Sequence, residues 1–176
     1  MIKASKSKTI LNILLSLFVF GLYSTPLFAD SMAINNNLSW LTSIQNFDGS
    51  FGITETSILD TTNVLDTLKL LQPTSTSYLT GVTWLGSQSV TSTDFLARQI
   101  ISLSSVGVGI TSDLTNLITN ENTDTGWGGD ISSTSMVIDT ALALDTLQSV
   151  NYSNQATISN AVLYLVTNRI QNRIFR

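Results

Sequence analysis

The chain has 176 residues, neither cysteine nor histidine, 8 basic against 12 acidic residues, and only 11% charged side chains. The two missing residue types exclude disulfides, Ser-His and Cys-His catalytic pairs, thiolate or imidazole zinc sites and a cysteine thioester. A thinly charged acidic surface argues against nucleic acid and anionic membranes as partners, and leaves solubility to Ser, Thr, Asn and Gln.

At the N-terminus, Lys3, Lys6 and Lys8 precede an apolar stretch from Ile10 to Leu22, which Ser24, Thr25 and Pro26 break before Ala29. This is the pattern of a secretory signal peptide over residues 1–29, cut after Ala29, with Ala33 as the alternative. The stretch is 13 residues long, against the ~20 that a bilayer-spanning helix needs, so no stable membrane anchor is expected after cleavage. The expected location is secreted or periplasmic. From Asp30 onward five bases face all twelve acids, a net charge of −7.

Residues 30–176 repeat. Trp40 to Gly52 contains Gln45-Asn46-Phe47-Asp48-Gly49-Ser50-Phe51-Gly52, and Ile58 to Leu68 follows with Asp60 and Asp66. Later, Asp124-Thr125-Gly126-Trp127-Gly128 precedes Val137 to Leu147, which carries Asp139 and Asp145, each 79 residues after its counterpart. Trp84 to Gln88 lies 44 residues after Trp40, and Tyr164 to Asn168 follows Trp84 by 80. Units of roughly 40 residues, about three and a half of them, fit these offsets, a period typical of helix pairs.

Ile58, Thr61, Leu65 and Leu68, like Val137, Ala141, Leu144 and Gln148, are spaced by threes and fours, which predicts helices with one apolar face. The many Thr, Val and Ile residues make a β-solenoid the competing reading. Ser132, Ser133 and Thr134 offer N-cap oxygens for the later helix, Thr54 or Thr56 for the earlier one, and Pro73 closes the helix that ends near Leu71.

The segment from Gln45 to Gly52 resembles the Q-x-x-x-G-x-W turn of the terpenoid cyclase and protein prenyltransferase superfamily, with Phe51 in place of Trp. Asp124 to Gly128 supplies the Trp, with Glu121 near the place of the Gln, and Asp139 to Leu144 is similar to the helix that follows this turn in the family. The likeness to squalene and hopene cyclase repeats spans about Leu38 to Asn172. It implies an all-α fold of α/α-toroid hairpins in which the Gln and the aromatic residue tie helices together. The glycines suit a tight reversal, the Asp can cap the next helix, and the ring can pack between helix pairs. Trp40, Gln45, Asp48, Gly49, Phe51, Gly52, Asp60, Trp84, Gln88, Asp124, Gly126, Trp127, Gly128 and Asp139 are therefore expected as structural repeat positions.

Catalytic, cofactor and metal residues are not expected. A squalene-type cyclase requires an acid within a D-x-D-D cluster, and neither Asp60 nor Asp139 has neighbouring carboxylates in sequence. Asp60 and Asp66 lie about 240° apart around a helix. The ten aromatic residues after Ala29 are few for a terpenoid cavity, and the prenyltransferase zinc ligands include absent residue types. A glycan-active barrel with two carboxylates stays as the alternative. Asn46 to Ser50 and Asn122 to Gly126 space oxygens as calcium loops do, but without a bidentate Glu, and read as capped turns.

Five to seven hairpins close a ring in this superfamily, so the arc is expected to be incomplete. Either the reading frame is truncated, or the open repeat edge pairs with another chain. The expected function is an exported, non-catalytic helical-repeat module presenting Thr, Asn and Gln to a protein or glycan. The alternative is the N-terminal part of a toroid enzyme, terpene cyclase-like or glycan-active.

Overall fold

The computed structural model describes the backbone of residues 25–174 and the side chains of residues 31–168. The expected signal core, Ile10 to Leu22, lies outside the described residues. Among those described, the secondary structure is seven α-helices with no strand, so the β-solenoid reading falls and the all-α expectation holds. They divide into two compact units, one ending at Ile44 and the other beginning at Gln45.

The first unit contributes α1, Thr25–Ser43. The expected cut after Ala29 falls within this helix, and Trp40 on it is 61% exposed. No described helix is long and apolar enough to cross a membrane.

The second unit comprises α2 (Ser57–Leu71), α3 (Thr76–Gly86), α4 (Thr93–Ser104), α5 (Thr111–Thr119), α6 (Val137–Ser149) and α7 (Gln155–Ile174). In α2 the predicted stripe is the buried one: Ile58, Thr61, Leu65 and Leu68 all face inward. Gln72 closes the helix by donating its N–H to Leu68 O, directly before Pro73. The starts of α3 and α4 are fixed by serines, since Ser75 Oγ accepts from Tyr78 N–H and Ser92 Oγ from Phe95 N–H.

The other expected caps differ. Thr56 stands at the N-cap of α2, but its hydroxyl donates to Asp60 Oδ2 at 2.5 Å instead of accepting from the backbone. In α6 the N-cap is Met136, not Ser132, Ser133 or Thr134, and no side chain caps it. Met136 N–H donates to Trp127 O, so the preceding turn holds the residues before α6 extended until Val137.

Helix α4 packs between α2 and α6, α3 packs on α2 and α4, α5 on α4, and α7 on α6. Contact between alternate helices is the pattern of stacked helical hairpins. The largest apolar cluster joins Leu96 and Ile100 of α4, Leu117 of α5, Trp127, Ala143 and Leu147 of α6, and Ala161 of α7, all fully buried. Each Leu-sized side chain so buried contributes roughly 1.5–3 kcal/mol, which makes the Trp127 junction the firmest part of the unit.

Candidate functional site: two equivalent turns and the clefts beside them

The Asp-Gly turn and the Asp-Thr-Gly turn, 76 residues apart, close with the same bonds. Asn46 N–H donates to Ser50 O at 2.9 Å and Gly49 N–H to Asn46 O at 3.0 Å; Asn122 N–H donates to Gly126 O and Thr125 N–H to Asn122 O, both at 2.9 Å. Both turns need a left-handed residue at the same place, Gly49 with φ 99° and Thr125 with φ 67°. Glycine adopts this without strain, whereas a β-branched residue does so at a cost.

The aspartates do not cap the following helices, contrary to expectation. Asp48 Oδ1 accepts from Ser50 N–H at 3.0 Å and Ser50 Oγ at 2.7 Å, while Asp124 Oδ1 accepts from Gly126 N–H at 3.2 Å and Ser135 Oγ at 2.6 Å. A short carboxylate side chain reaches its own turn more easily than a helix several residues on. The turn is joined to the next helix by a threonine instead. Thr61 Oγ1 accepts from Phe51 N–H at 2.8 Å, and Thr140 Oγ1 from Trp127 N–H at 2.9 Å. The threonines are 79 residues apart because three extra residues lie between Gly128 and Thr140.

The two aromatic rings are buried, Phe51 at 1% and Trp127 at 0% exposure. Trp127 Nε1 also donates to Leu117 O at 2.7 Å and so ties the turn to α5. Gln45 works as the resemblance implies, with Nε2 donating to Gly49 O, Ser77 O and Thr80 Oγ1, which fastens the first turn to α3. Glu121 has no amide N–H to give, and the second turn reaches α7 through Thr125 Oγ1, which donates to Asn160 O at 3.2 Å. Asn160 is 80 residues after Thr80. Two glycines are required by close approach: a Cβ on Gly52 would lie 2.0 Å from Asp60 Oδ2, and one on Gly128 would lie 2.5 Å from Ser133 O.

Beside each turn is an open cleft. The first, about 700 Å³, is lined by Asp48, Gly52, Glu55, Trp84 and Gln88 together with the fully exposed Phe47. The second, about 500 Å³, is lined by Asp124, Ser135, Tyr164 and Asn168. Thus Asp48, Trp84 and Gln88 in one cleft are answered by Asp124, Tyr164 and Asn168 in the other. The amides are braced alike, Gln88 Nε2 on Trp84 O at 3.1 Å and Asn168 Nδ2 on Tyr164 O at 2.9 Å. Hydrogen bonds from the Ser50 hydroxyl and amide hold the Asp48 carboxyl below the usual range, with a smaller contribution from the Trp84 side chain. Burial, then the charge of Asp124, pushes the Tyr164 phenol up.

Of the remaining expected positions, Trp40 lies in the other unit. Asp60 packs under Gly52 and bonds Thr56. Asp139, its counterpart on α6, is 8% exposed, and its carboxyl is raised first by burial and then by the charges of Asp94 and Asp130. Among the described residues no group of three or more carboxylates forms a metal site.

Three kinds of residue were not singled out from the sequence. Asn46 Nδ2 donates to Ser50 Oγ and Gly52 O, and Asn122 Nδ2 to Ser133 O and Ser135 Oγ; their common position two residues before each Asp was the available signal. Thr93, fully buried, clasps the second turn through its N–H to Gly129 O and its hydroxyl to Gly128 O. Gln99, also buried, donates through Nε2 to Leu85 O and Gln88 O, with no partner for Oε1. Compared with family models and with curated proteins, the chain matches none.

Proposed function

We propose that this chain is an exported, non-catalytic module of α/α-toroid-like hairpin repeats that binds a protein or glycan at the cell surface through the two equivalent clefts. The observation that carries this reading is the duplication itself: a carboxylate, an aromatic ring and a braced amide recur at Asp48, Trp84, Gln88 and at Asp124, Tyr164, Asn168. Aromatic faces with adjacent hydrogen-bonding groups suit sugar rings and peptide side chains alike. A ligand with repeating units, such as a glycan chain, meets the same chemistry twice. Asp48 Oδ1 and Asp124 Oδ1 are engaged by their own turns, which supports a scaffolding role for these carboxylates over a catalytic one.

A second reading, part of a toroid enzyme, is favoured by one observation. Asp139 is buried with its carboxyl raised, the condition a general acid requires.

Retention of the purified protein on insoluble chitin, cellulose and peptidoglycan, and on a panel of cell-surface proteins, tests the first reading. Retention on one of these matrices that falls at least tenfold in the Trp84→Ala, Tyr164→Ala double variant supports it. Retention unchanged in that variant, or none on any matrix, overturns it. Release of reducing ends that Asp139→Asn abolishes transfers the chain to the enzyme reading.

A further inference from the structure

The internal repeat identifies a helix-binding groove between α6 and α7. Helices α2 and α3 present a surface on which α4 sits, and α6 and α7 present the equivalent surface, 79 and 80 residues later, without such a cover. On α2, Ile58 and Thr62 are 8% and 2% exposed; of their counterparts on α6, Val137 is 43% exposed and Ala141 is exposed too. Leu65 is 2% exposed, while Leu144, in its place, is only half-buried. On the outer helix, Leu85 is fully buried and Val82 half-buried, whereas Leu165 is half-buried and Val162 is 46% exposed. The uncovered surface is a groove of about 690 Å³ lined by Ala141, Leu144, Asp145, Ile158, Val162 and Leu165.

The covering helix in the first repeat defines the chemistry that the second would accept. Helix α4 places Ser102 and Arg98 near Asp66 and donates the Gln99 amide to Leu85 O. Asp145 is the counterpart of Asp66 and has no ion-pair partner among the described residues. Leu165, the counterpart of Leu85, offers its carbonyl near the end of the same groove. A cation opposite Asp145, an amide opposite Leu165 and small or aliphatic side chains between them would reproduce the α2–α3–α4 packing. A second copy of this chain has no such helix to offer, because α4 is already packed between α2 and α6 in each copy.

We propose that the α6–α7 groove docks an amphipathic helix from a separate polypeptide, one that carries an apolar stripe flanked by an amide and a basic residue in the manner of α4. This surface is distinct from the two clefts, so it stands or falls independently of ligand binding there.

The sequence of α4 itself is the probe: a fluorescein-labelled, hydrocarbon-stapled peptide of residues 91–106, titrated against the whole purified protein by fluorescence anisotropy. Saturable binding is expected, weakened at least tenfold by Ala141→Asp and by Val162→Asp. Both sites are solvent-exposed, and circular dichroism confirms that each variant retains the fold. Asp145→Lys should weaken the native peptide and restore affinity for a peptide carrying Arg98→Glu. Trp84→Ala should leave peptide binding unchanged. Absence of saturable binding overturns the proposal, as does binding that is indifferent to both groove variants, which would place the peptide in the slot of α4. Self-association of the protein that Ala141→Asp abolishes would assign the groove to a second copy and overturn it as well.

Discussion

Replacing Trp127 by Phe tests whether the second turn needs an indole where the first makes do with a benzene ring. Trp127 is fully buried among Leu96, Ile100, Leu117, Ala143, Leu147 and Ala161, and its Nε1 donates to Leu117 O at 2.7 Å. Phe removes roughly 40 Å³ of side chain, which at ~24 cal/mol per Å³ of residual cavity costs about 1 kcal/mol. The lost hydrogen bond adds about 1 kcal/mol. Leu117 O still receives Asn120 N–H at 3.3 Å, so no orphaned carbonyl adds to the loss. The expected total is about 2 kcal/mol, or a fall in Tm of about 6–10 °C for a unit of this size. Urea denaturation followed by circular dichroism measures it, with Trp127→Ala expected to lose about 3–5 kcal/mol. A Trp127→Phe protein within 0.5 kcal/mol of the parent would refute the reasoning, because it would mean that neither the cavity nor the bond to α5 holds the junction together.

Thr140→Val leaves the buried Trp127 N–H without an acceptor and should cost about 1–3 kcal/mol, and Thr61→Val should cost the same through Phe51 N–H, both read from urea midpoints. Gly128→Ala drives a methyl to 2.5 Å from Ser133 O and should cost about 2–3 kcal/mol, whereas Gly109→Ala, with no heavy atom within 4 Å and an ordinary φ, should gain about 0.4–1 kcal/mol; differential scanning calorimetry separates the two. Burial raises the carboxyls of Asp66, Asp113, Glu121 and Asp139, so the folded protein holds more protons than the unfolded chain between their ordinary and raised values. Stability should therefore be fuller below about pH 4 at these sites and decline as pH rises through the raised values toward neutrality. Asp139→Asn should flatten part of that decline in a Tm series from pH 4 to 7, and an unchanged profile would show that Asp139 is solvated when folded.

The repeats were legible because the features that make them are short-range. Asp48-Gly49 and Asp124-Thr125 each close a turn within five residues, and the stripes on α2 and α6 follow helical spacing. The middle of the unit was not legible in the same way. Between Gly86 and Asn120 no Asp-Gly turn occurs, and the residues that hold α4 in place act across long separations, Thr93 on Gly128 at 35 residues and Gln99 on Leu85 at 14. Nothing local in Ser92-Thr93-Asp94 announces a partner in a turn that has yet to be made. The misassigned caps have a similar origin: Ser132 to Thr134 have the right side chains, but Met136 N–H is already bound by Trp127 O, and the helix begins only beyond that tether.

The candidate clefts occupy an intermediate position. The spacing of 80 between Trp84 to Gln88 and Tyr164 to Asn168 is visible in the sequence, but the aspartates are spaced by 76, and the difference conceals that they belong to one constellation. The reason is the three-residue insertion between Gly128 and Thr140, followed by one more residue between Thr140 and Asn160. The added residues lengthen the chain between the anchoring points without moving them: Trp127 N–H still finds Thr140, and the turn still reaches its outer helix at Asn160 as the first does at Thr80. Fixed spacing in sequence is therefore a weaker invariant here than the hydrogen bonds that join turn to helix. A search for further units of this kind should follow the order asparagine, aspartate two residues on, buried aromatic, then a helical threonine, with the intervals left free.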